Sequence, residues 1–284
     1  MSALDVLDPA ILGLLGLMVG SFLNVVIHRL PKMMERRWAL ECAELTGNTT
    51  AAGDSPVERF NLMVPRSRCP QCGHAIQWFE NIPVFSYVAL GGKCRSCHTG
   101  ISPRYPAVEL VSAALFAWCG WHWGLNGTAL AWCGFSAALL ALTCIDWDTT
   151  LLPDDITLPL LWAGLCASGL GLIATPLPDA LWGAVAGYLS LWLVYWAFKL
   201  TTGKDGMGYG DFKLYAALGA WLGWQSLIAV ILMASLIGAA VGIGIKIFSQ
   251  LREGGYVPFG PFLAIAGITA MMAGPQTILG FIGL

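Results

Sequence analysis

Six long stretches of the sequence carry no Asp, Glu, Lys or Arg, and their lengths restrict the fold more than any other feature. A helix needs about 20 residues to cross the hydrocarbon core of a bilayer. Charged residues make up 11% of the 284, against about 25% in a typical soluble domain. Two stretches are long enough for two crossings each, so the sequence predicts an all-α polytopic membrane protein with about eight transmembrane helices. The stretches are 9–27, 110–145, 156–178, 180–198, 214–245 and 254–284.

The basic residues predict which loops face the cytoplasm, because cytoplasmic loops carry an excess of Lys and Arg. Eight crossings that begin outside place four loops inside, and these loops together hold all fifteen Lys and Arg residues. Acids rather than basic residues precede the first apolar stretch, so we expect an anchor and not a cleaved signal peptide. Both termini are then periplasmic. The inside loops are 28–105, 146–155, 199–213 and 246–257.

Four cysteines in the first cytoplasmic loop have the spacing C-x2-C-x21-C-x2-C. Each Cys-x-x-Cys turns two thiolates toward one point, and two such turns complete a tetrahedral site suited to Zn2+. Disulfides are the alternative, but the reducing cytoplasm disfavours them. A structural zinc is favoured over a catalytic one because four thiolates leave no position for water. The candidate ligands are Cys69, Cys72, Cys94 and Cys97; His74 and His98 lie close by, and we expect neither to be a ligand.

The rest of this loop has fewer signals. Residues 32–65 are polar and weakly periodic, and their Gly/Asn/Thr/Ala/Asp cluster at 47–54 predicts a flexible loop. Asn24 and His28 share a helix face, where anchoring at the membrane interface is the simpler role. Glu109 follows the start of the second helix, where it either complements the helix dipole or serves the function; both readings stay open.

Four acids follow the second apolar stretch. Asp154 and Asp155 come after Leu-Pro and before the next stretch, where an acid commonly caps a helix start. Asp146 and Asp148 are about 200° apart around a helix, so they cannot face one partner. Asp146 directly continues the apolar stretch, and ionisable groups at membrane depth are functional candidates because they are costly to bury there. We therefore single out Asp146.

A fifth acid, Asp211, ends the glycine-rich sequence Gly206-Met-Gly-Tyr-Gly-Asp. Its glycines would let an unwound segment bring Asp211 close to a substrate backbone. The predicted topology places Asp211 on the same membrane face as Asp146. Two adjacent carboxylates cannot both ionise easily, so one serves as general base and the other as general acid. Such a pair can activate water against a peptide carbonyl.

Several motifs, in this order along the chain, resemble the type IV prepilin peptidases, which belong to the Gly-x-Gly-Asp aspartyl proteases. The resemblance implies a bifunctional inner-membrane enzyme that cleaves the leader of prepilins and pseudopilins and then N-methylates the new N terminus with S-adenosylmethionine. It also implies that Asp146 and Asp211 are catalytic. The motifs are Gly20-Ser-Phe-Leu-Asn-Val-Val-Ile-His-Arg-Leu-Pro31, the paired Cys-x-x-Cys, Asp146 with Leu152-Pro153-Asp154, and Gly208-Tyr-Gly-Asp211.

On this reading, residues 1–125 hold two membrane helices and the cytoplasmic cysteine loop, and residues 126–284 form a six-helix aspartyl peptidase domain in the membrane. The expected partners are prepilin substrates and lipid, with no nucleic acid. A peptidase without methyltransferase activity and an ion-coupled transporter are the alternatives. No glycine fingerprint marks the methyl-donor site, for which the weak candidates are Glu80, Gly91, Gly92 and Lys93, although the paired glycine also suits a simple turn.

Overall fold

The computed structural model of the chain describes residues 3–46, 60–248 and 257–282, and the regular secondary structure in these ranges is entirely helical. The chain divides into two compact units, Met1–Leu125 and Asn126–Leu284, which we call the N-terminal and C-terminal units. A helical fold confirms the class that the apolar stretches predict.

The N-terminal unit is built on two long helices, α1 (Ala3–Leu45) and α3 (Arg104–Trp123), with the short α2 (Phe85–Ala89) and a 3-10 turn (Trp78–Asn81) between them in sequence. Helices α1 and α3 pack closely through small residues. A Cβ on Gly16 would lie 2.7 Å from the carbonyl oxygen of Ser112. Small residues at such contacts let membrane helices approach closely.

Helix α1 is much longer than its apolar stretch and continues to Leu45, so the loop predicted to begin at residue 28 is helical over its first part. The helix continues through Pro31 because the residues beyond it are mostly strong helix formers such as Met, Glu, Arg, Ala and Leu. The Gly/Asn/Thr cluster at 47–54 lies outside the described residues. From residue 60 the chain is described again. There the Arg29 guanidinium anchors the chain to α1 by donating hydrogen bonds to the carbonyl oxygens of Asn61 (2.9 Å), Leu62 (3.3 Å) and Pro65 (2.6 Å).

The C-terminal unit surrounds one short buried helix, α7. Ten of its fourteen residues are buried, and it contacts α5, α6 and α9. The backbones of α6 and α7 meet at Gly183 and Gly219, which leave no room for a side chain. The helices of this unit are α4 (Gly127–Thr149), α5 (Asp154–Gly169), α6 (Leu177–Thr202), α7 (Tyr209–Leu222), α8 (Leu227–Phe248), α9 (Gly260–Ala273) and α10 (Pro275–Ile282).

Both long apolar stretches form pairs of helices, as predicted. Helices α3 and α4 are separated by a turn that begins at Gly124, and α7 ends at Gly223 before α8 begins. The last stretch is broken at Gly274 into α9 and α10.

Four helical segments in the described part of the chain are long and apolar enough to cross a membrane, whereas eight crossings stay a prediction. They are Val6–Leu45, Gly127–Thr149, Leu177–Thr202 and Trp224–Ile247.

Candidate active site and cysteine centre

Asp146 lies in the last turn of α4, with its side chain turned into the protein. The residue is only 4% exposed. The backbone N–H of Gly260, the first residue of α9, donates a 3.0 Å hydrogen bond to its Oδ2. This bond stabilises a negative charge on the carboxylate. The start of α9 therefore takes part in the site, which the sequence alone did not indicate.

Asp211 lies in the first turn of α7 and is 7% exposed. Its carboxylate is close enough to that of Asp146 for the charges of the two groups to interact. Its Oδ1 is buried and has no hydrogen-bond partner among the described residues. A buried acceptor without a donor is unfavourable unless a ligand, substrate or water supplies one. The structure thus brings the two selected aspartates to one site and leaves an acceptor there.

The glycines before Asp211 act differently from the expectation of an unwound segment. The non-helical segment ends at Gly208, and Gly210 and Asp211 are helical. A Cβ on Gly210 would lie 2.6 Å from Cβ of Leu152, and one on Gly260 would lie 3.1 Å from both methyl groups of Leu152. Leu152 therefore packs between the starts of α7 and α9, and the two glycines provide the space.

The other acids near Asp146 take separate positions. Asp148 is exposed. Asp154 and Asp155 lie in the first turn of α5, but the residue at the cap position is Pro153 and no side chain caps the helix, so the capping prediction is wrong. Asp154 instead accepts hydrogen bonds of 2.7 Å at both oxygens from Lys213 Nζ. This ion pair joins α5 to α7 two residues after Asp211.

A second polar cluster holds the loop that leads to Asp211. Asp205 Oδ1 accepts from the Tyr195 hydroxyl at 2.6 Å and pairs with Lys199 Nζ at 2.8 Å. These hydrogen bonds, that from Lys199 first, lower the pKa of Asp205 below its usual range. The Tyr195 ring also contacts the rings of Tyr209 and Phe212, which flank Gly210 and Asp211. Sequence reasoning missed this cluster, whose only signal was the helical i, i+4 spacing of Tyr195 and Lys199.

The two Cys-x-x-Cys segments of the N-terminal unit have the same backbone fold. In each, the first cysteine donates its N–H to the carbonyl five residues on and accepts, at its own carbonyl, from the N–H four residues on. The residue four positions on has a positive φ in both. The first set is Cys69, His74 and Gly73 (φ 71°), and the second is Cys94, Thr99 and His98 (φ 57°).

The four cysteine sulfurs converge on one point and all lie within 4.8 Å of one another. Sγ of Cys69 and Cys97 are 3.7 Å apart, and those of Cys72 and Cys94 are 4.0 Å apart. Tetrahedral zinc with bonds of about 2.3 Å separates its sulfurs by about 3.8 Å. The residues present fit a metal ion.

A cavity of about 510 Å³ lies in the N-terminal unit, bounded by α1, α3 and both cysteine turns. Of the four methyl-donor candidates, Glu80 lines it, whereas Gly91, Gly92 and Lys93 are not among its lining residues. Gly92 has a φ of 68°, and a Cβ there would lie 3.0 Å from the Tyr87 ring, so the paired glycine forms a tight turn.

Glu109 also lines this cavity, and its position corrects one reading of the sequence. It is the sixth residue of α3, beyond the first turn, and it is buried rather than facing the helix dipole from outside. Its Oε2 accepts the N–H of Val84 at 2.8 Å. Val84 is a β-branched residue with a φ of 59°, a conformation that such residues rarely adopt. Glu109 therefore holds a strained residue in the cavity wall.

The Asn24 side chain, which sequence reasoning assigned to the membrane interface, donates instead to the Tyr105 carbonyl at 3.1 Å and so ties α1 to α3. His28 lies one turn further and contacts Lys32 Nζ at 3.0 Å. Both Asn24 and His28 line the cavity. The polar face of α1 thus belongs to the cavity wall.

Two family models match successive parts of the chain. Residues 14–123 match the bacterial peptidase A24 N-terminal domain, and residues 132–243 match the type IV leader peptidase family. The second match contains Asp146 and Asp211, and the first contains all four cysteines of the cluster.

Curated relatives match almost the whole chain. A Pseudomonas aeruginosa protein is 54% identical over 95% of this chain and 93% of its own length. A protein from Burkholderia pseudomallei strain 1026b is 55% identical over 92% of this chain and 84% of its own length. An Aeromonas salmonicida protein is 53% identical over 92% of this chain and 89% of its own length. All three carry the name prepilin leader peptidase/N-methyltransferase. No solved structure matches the chain.

Proposed function

The chain belongs to the type IV leader peptidase family, and on that premise we propose that Asp146 and Asp211 cleave the leader peptide of prepilins and that the N-terminal unit methylates the N terminus so exposed. The observation that carries the peptidase assignment is the pair of buried carboxylates whose charges interact, one of which has an oxygen with no hydrogen-bond donor among the described residues. The names of the relatives support the methyl transfer.

The surroundings of the two aspartates support different roles for them. The N–H of Gly260 favours the ionised form of Asp146, whereas no described group donates to Asp211 Oδ1. Asp146 then acts as the general base and takes a proton from water as the water oxygen bonds to the peptide carbonyl carbon. Asp211 acts as the acid and protonates the carbonyl oxygen. When the intermediate collapses, the C–N bond breaks and the leaving amine receives the proton held by Asp146, while Asp211 takes a proton back from one hydroxyl of the intermediate, which leaves a carboxylic acid and restores both aspartates.

The position of both aspartates at helix ends supports cleavage at a membrane boundary. Asp146 is in the last turn of α4, and Asp211 is in the first turn of α7. A substrate with a basic leader and an apolar helix exposes the bond between them at the cytoplasmic boundary of the inner membrane, where the distribution of Lys and Arg places both acids. An ion-coupled transporter would bind its ions near the midplane instead.

We assign zinc to the cysteine cluster in a structural role. Sulfur separations of 3.7 and 4.0 Å match a tetrahedral thiolate site, and four protein ligands fill all of its positions. The metal would fasten two turns that are 25 residues apart in sequence at corresponding cysteines, Cys69 and Cys94.

The methyl donor implied by the relatives' name, S-adenosylmethionine, supplies a methyl group on a cationic sulfonium. The part left to the chain is to bind and orient the donor and the amine. The cavity of the N-terminal unit supports this role, since its lining combines apolar side chains with charged groups of both signs, the carboxylates of Glu80 and Glu109 among them.

The test uses the full-length protein in detergent micelles, a purified prepilin and labelled S-adenosylmethionine. Asp146→Asn and Asp211→Asn should each reduce leader cleavage by about a hundredfold or more, because each removes a group that transfers a proton. Asp148→Asn is the matched control and should cleave normally, since Asp148 is exposed on the same helix. Near-normal cleavage by either catalytic variant contradicts the peptidase assignment, and cleaved pilin without added label contradicts the methyltransferase assignment.

A further inference from the structure

The cavity of the N-terminal unit has the size and the mixed lining of a small-molecule site. Its volume of about 510 Å³ lies within the range of about 300–1,000 Å³ usual for such sites. One part of its lining is apolar, with Ile76, Ile82, Leu90 and Ile101, and another carries charged side chains. A flat base fits an apolar wall, whereas hydroxyl and cationic groups need the charged part.

One buried oxygen in this cavity wall lacks a donor. The Glu80 side chain is only 7% exposed. Its Oε2 is satisfied by the N–H of Gln77 at 2.9 Å and by His74 Nε2 at 3.1 Å, whereas Oε1 has no hydrogen-bond partner in the described part of the chain. Arg95 NH1 forms an ion pair with Oε1 at 3.6 Å, which is beyond hydrogen-bond distance. The Gln77 N–H also holds the pKa of Glu80 below its usual range, so the carboxylate is charged.

A charged acceptor that is held in place on one oxygen, and whose other oxygen accepts no hydrogen bond from the described residues, suits a ribose hydroxyl. Acidic side chains that bind ribose hydroxyls are a recurrent feature of nucleoside sites. Arg95 does not occupy this position, because its guanidinium makes no hydrogen bond to Oε1 and its side chain is 58% exposed. Glu109 is a second carboxylate in a lining that also holds Arg29, Arg68 and Arg95, so charged groups of both signs are available to a ligand.

We propose that this cavity is the methyl-donor site and that Oε1 of Glu80 accepts a hydrogen bond from a ribose hydroxyl of S-adenosylmethionine. The inference rests on the proposed methyltransferase function and gives it a location. The cysteine turns acquire a purpose as well, since Cys69 and Cys94 both line the cavity and a metal bound by them would fix its wall.

The test measures binding rather than turnover, by titration calorimetry of S-adenosylhomocysteine into the full-length protein in detergent. Glu80→Gln should weaken binding about tenfold or more, because it removes the charge from a buried hydrogen bond. The 2′- and 3′-deoxy analogues are the matched ligands. At least one analogue should bind the wild type about tenfold more weakly than S-adenosylhomocysteine does. The Glu80→Gln change should then reduce the affinity for this analogue much less than the affinity for S-adenosylhomocysteine, because the hydrogen bond between the hydroxyl and Glu80 is already absent. Glu44→Gln, at an exposed position near the end of α1, is the control and should bind like the wild type.

A second variant tests the location without changing the hydrogen bonds of Glu80. Gly100 lines the cavity, and a Cβ there would meet no atom within 4 Å. Gly100→Phe should therefore fill open space and reduce binding by about tenfold or more while leader cleavage continues. Wild-type affinity in both Glu80→Gln and Gly100→Phe overturns the proposed location of the site. If the loss of binding free energy caused by Glu80→Gln adds to that caused by each deoxy analogue, the ribose contact is overturned.

The same preparations separate this inference from the function on which it rests. A wild type that methylates pilin, together with variants that bind the product normally, refutes only the location. A wild type that cleaves prepilin but neither binds S-adenosylhomocysteine nor transfers methyl refutes the methyltransferase function and the inference with it.

Discussion

The N–H of Gly260 and Oδ2 of Asp146 are joined by a 3.0 Å hydrogen bond between residues 114 apart in sequence. A Cβ at residue 260 would lie 2.6 Å from the same oxygen, so the contact has no space for any other residue. The first turn of α9 is therefore a fixed donor to the carboxylate that we assign as the base. Three further relationships of this kind lead to predictions.

Gly260→Ala is expected to reduce cleavage at least about tenfold, because the methyl group must displace the Asp146 carboxylate or the start of α9. Prepilin cleavage rates in detergent, with the amount of folded protein measured alongside, provide the check. Gly134→Ala is the matched control on α4, where a Cβ would meet no atom within 4 Å. Full activity in Gly260→Ala would show that the donor is dispensable.

Gly210→Val is expected to impair cleavage although both carboxylates remain. Its Cβ would lie 2.6 Å from Cβ of Leu152, so the first turn of α7 must shift and carry Asp211 with it. The effect should appear mainly in kcat, since the substrate still binds. Gly242→Ala, at an open position on α8, should behave like the wild type. Unchanged kcat in Gly210→Val would rule out a role for this packing.

Asp205→Ala is expected to lower kcat for cleavage severalfold with little change in KM, because it releases the segment before Asp211 from Tyr195 and Lys199. The pKa of Asp205 is lowered in the folded protein, so the contribution of this contact is present at neutral pH and is lost as the pH falls through the acidic range. The difference between wild type and variant should therefore narrow at acidic pH. Lys204→Gln, an exposed change in the same loop, is the control. Equal pH profiles for all three proteins would contradict this positioning role.

Metal removal is expected to weaken the binding of S-adenosylhomocysteine more than it slows cleavage. The cysteines that line the cavity lie in the N-terminal unit, whereas both aspartates lie in the C-terminal unit. Metal analysis of the purified protein should find about one zinc per chain, and Cys97→Ser should reduce that content. Full methyl-donor binding by the metal-free protein would refute the proposed role of the centre.

The sequence predicted the features that depend on local pattern. Apolar length indicated the helices, cysteine spacing indicated the cluster, and depth relative to an apolar stretch separated Asp146 from Asp148. Those signals are carried by neighbouring residues and survive without knowledge of tertiary contacts.

The features that sequence reasoning missed are contacts between distant residues. Nothing near Gly260 indicates that its N–H meets Asp146, and nothing near Leu152 indicates that two glycines enclose it. The continuation of α1 beyond Pro31 was hidden because a proline and a run of charged residues both suggest a break. Tertiary packing and helix propensity together outweighed those local signals.

The identical backbone of the two cysteine turns has a consequence for assembly. Each turn presents two thiols, which is half of a tetrahedral site, so neither can capture a metal tightly alone. The segment between them carries Glu80 and α2, and bringing the two halves together also brings the two ends of this segment together. If zinc occupies the site as proposed, metal binding and the ordering of that segment are cooperative. A chain that lacks either pair of cysteines should then show neither tight metal binding nor an ordered segment.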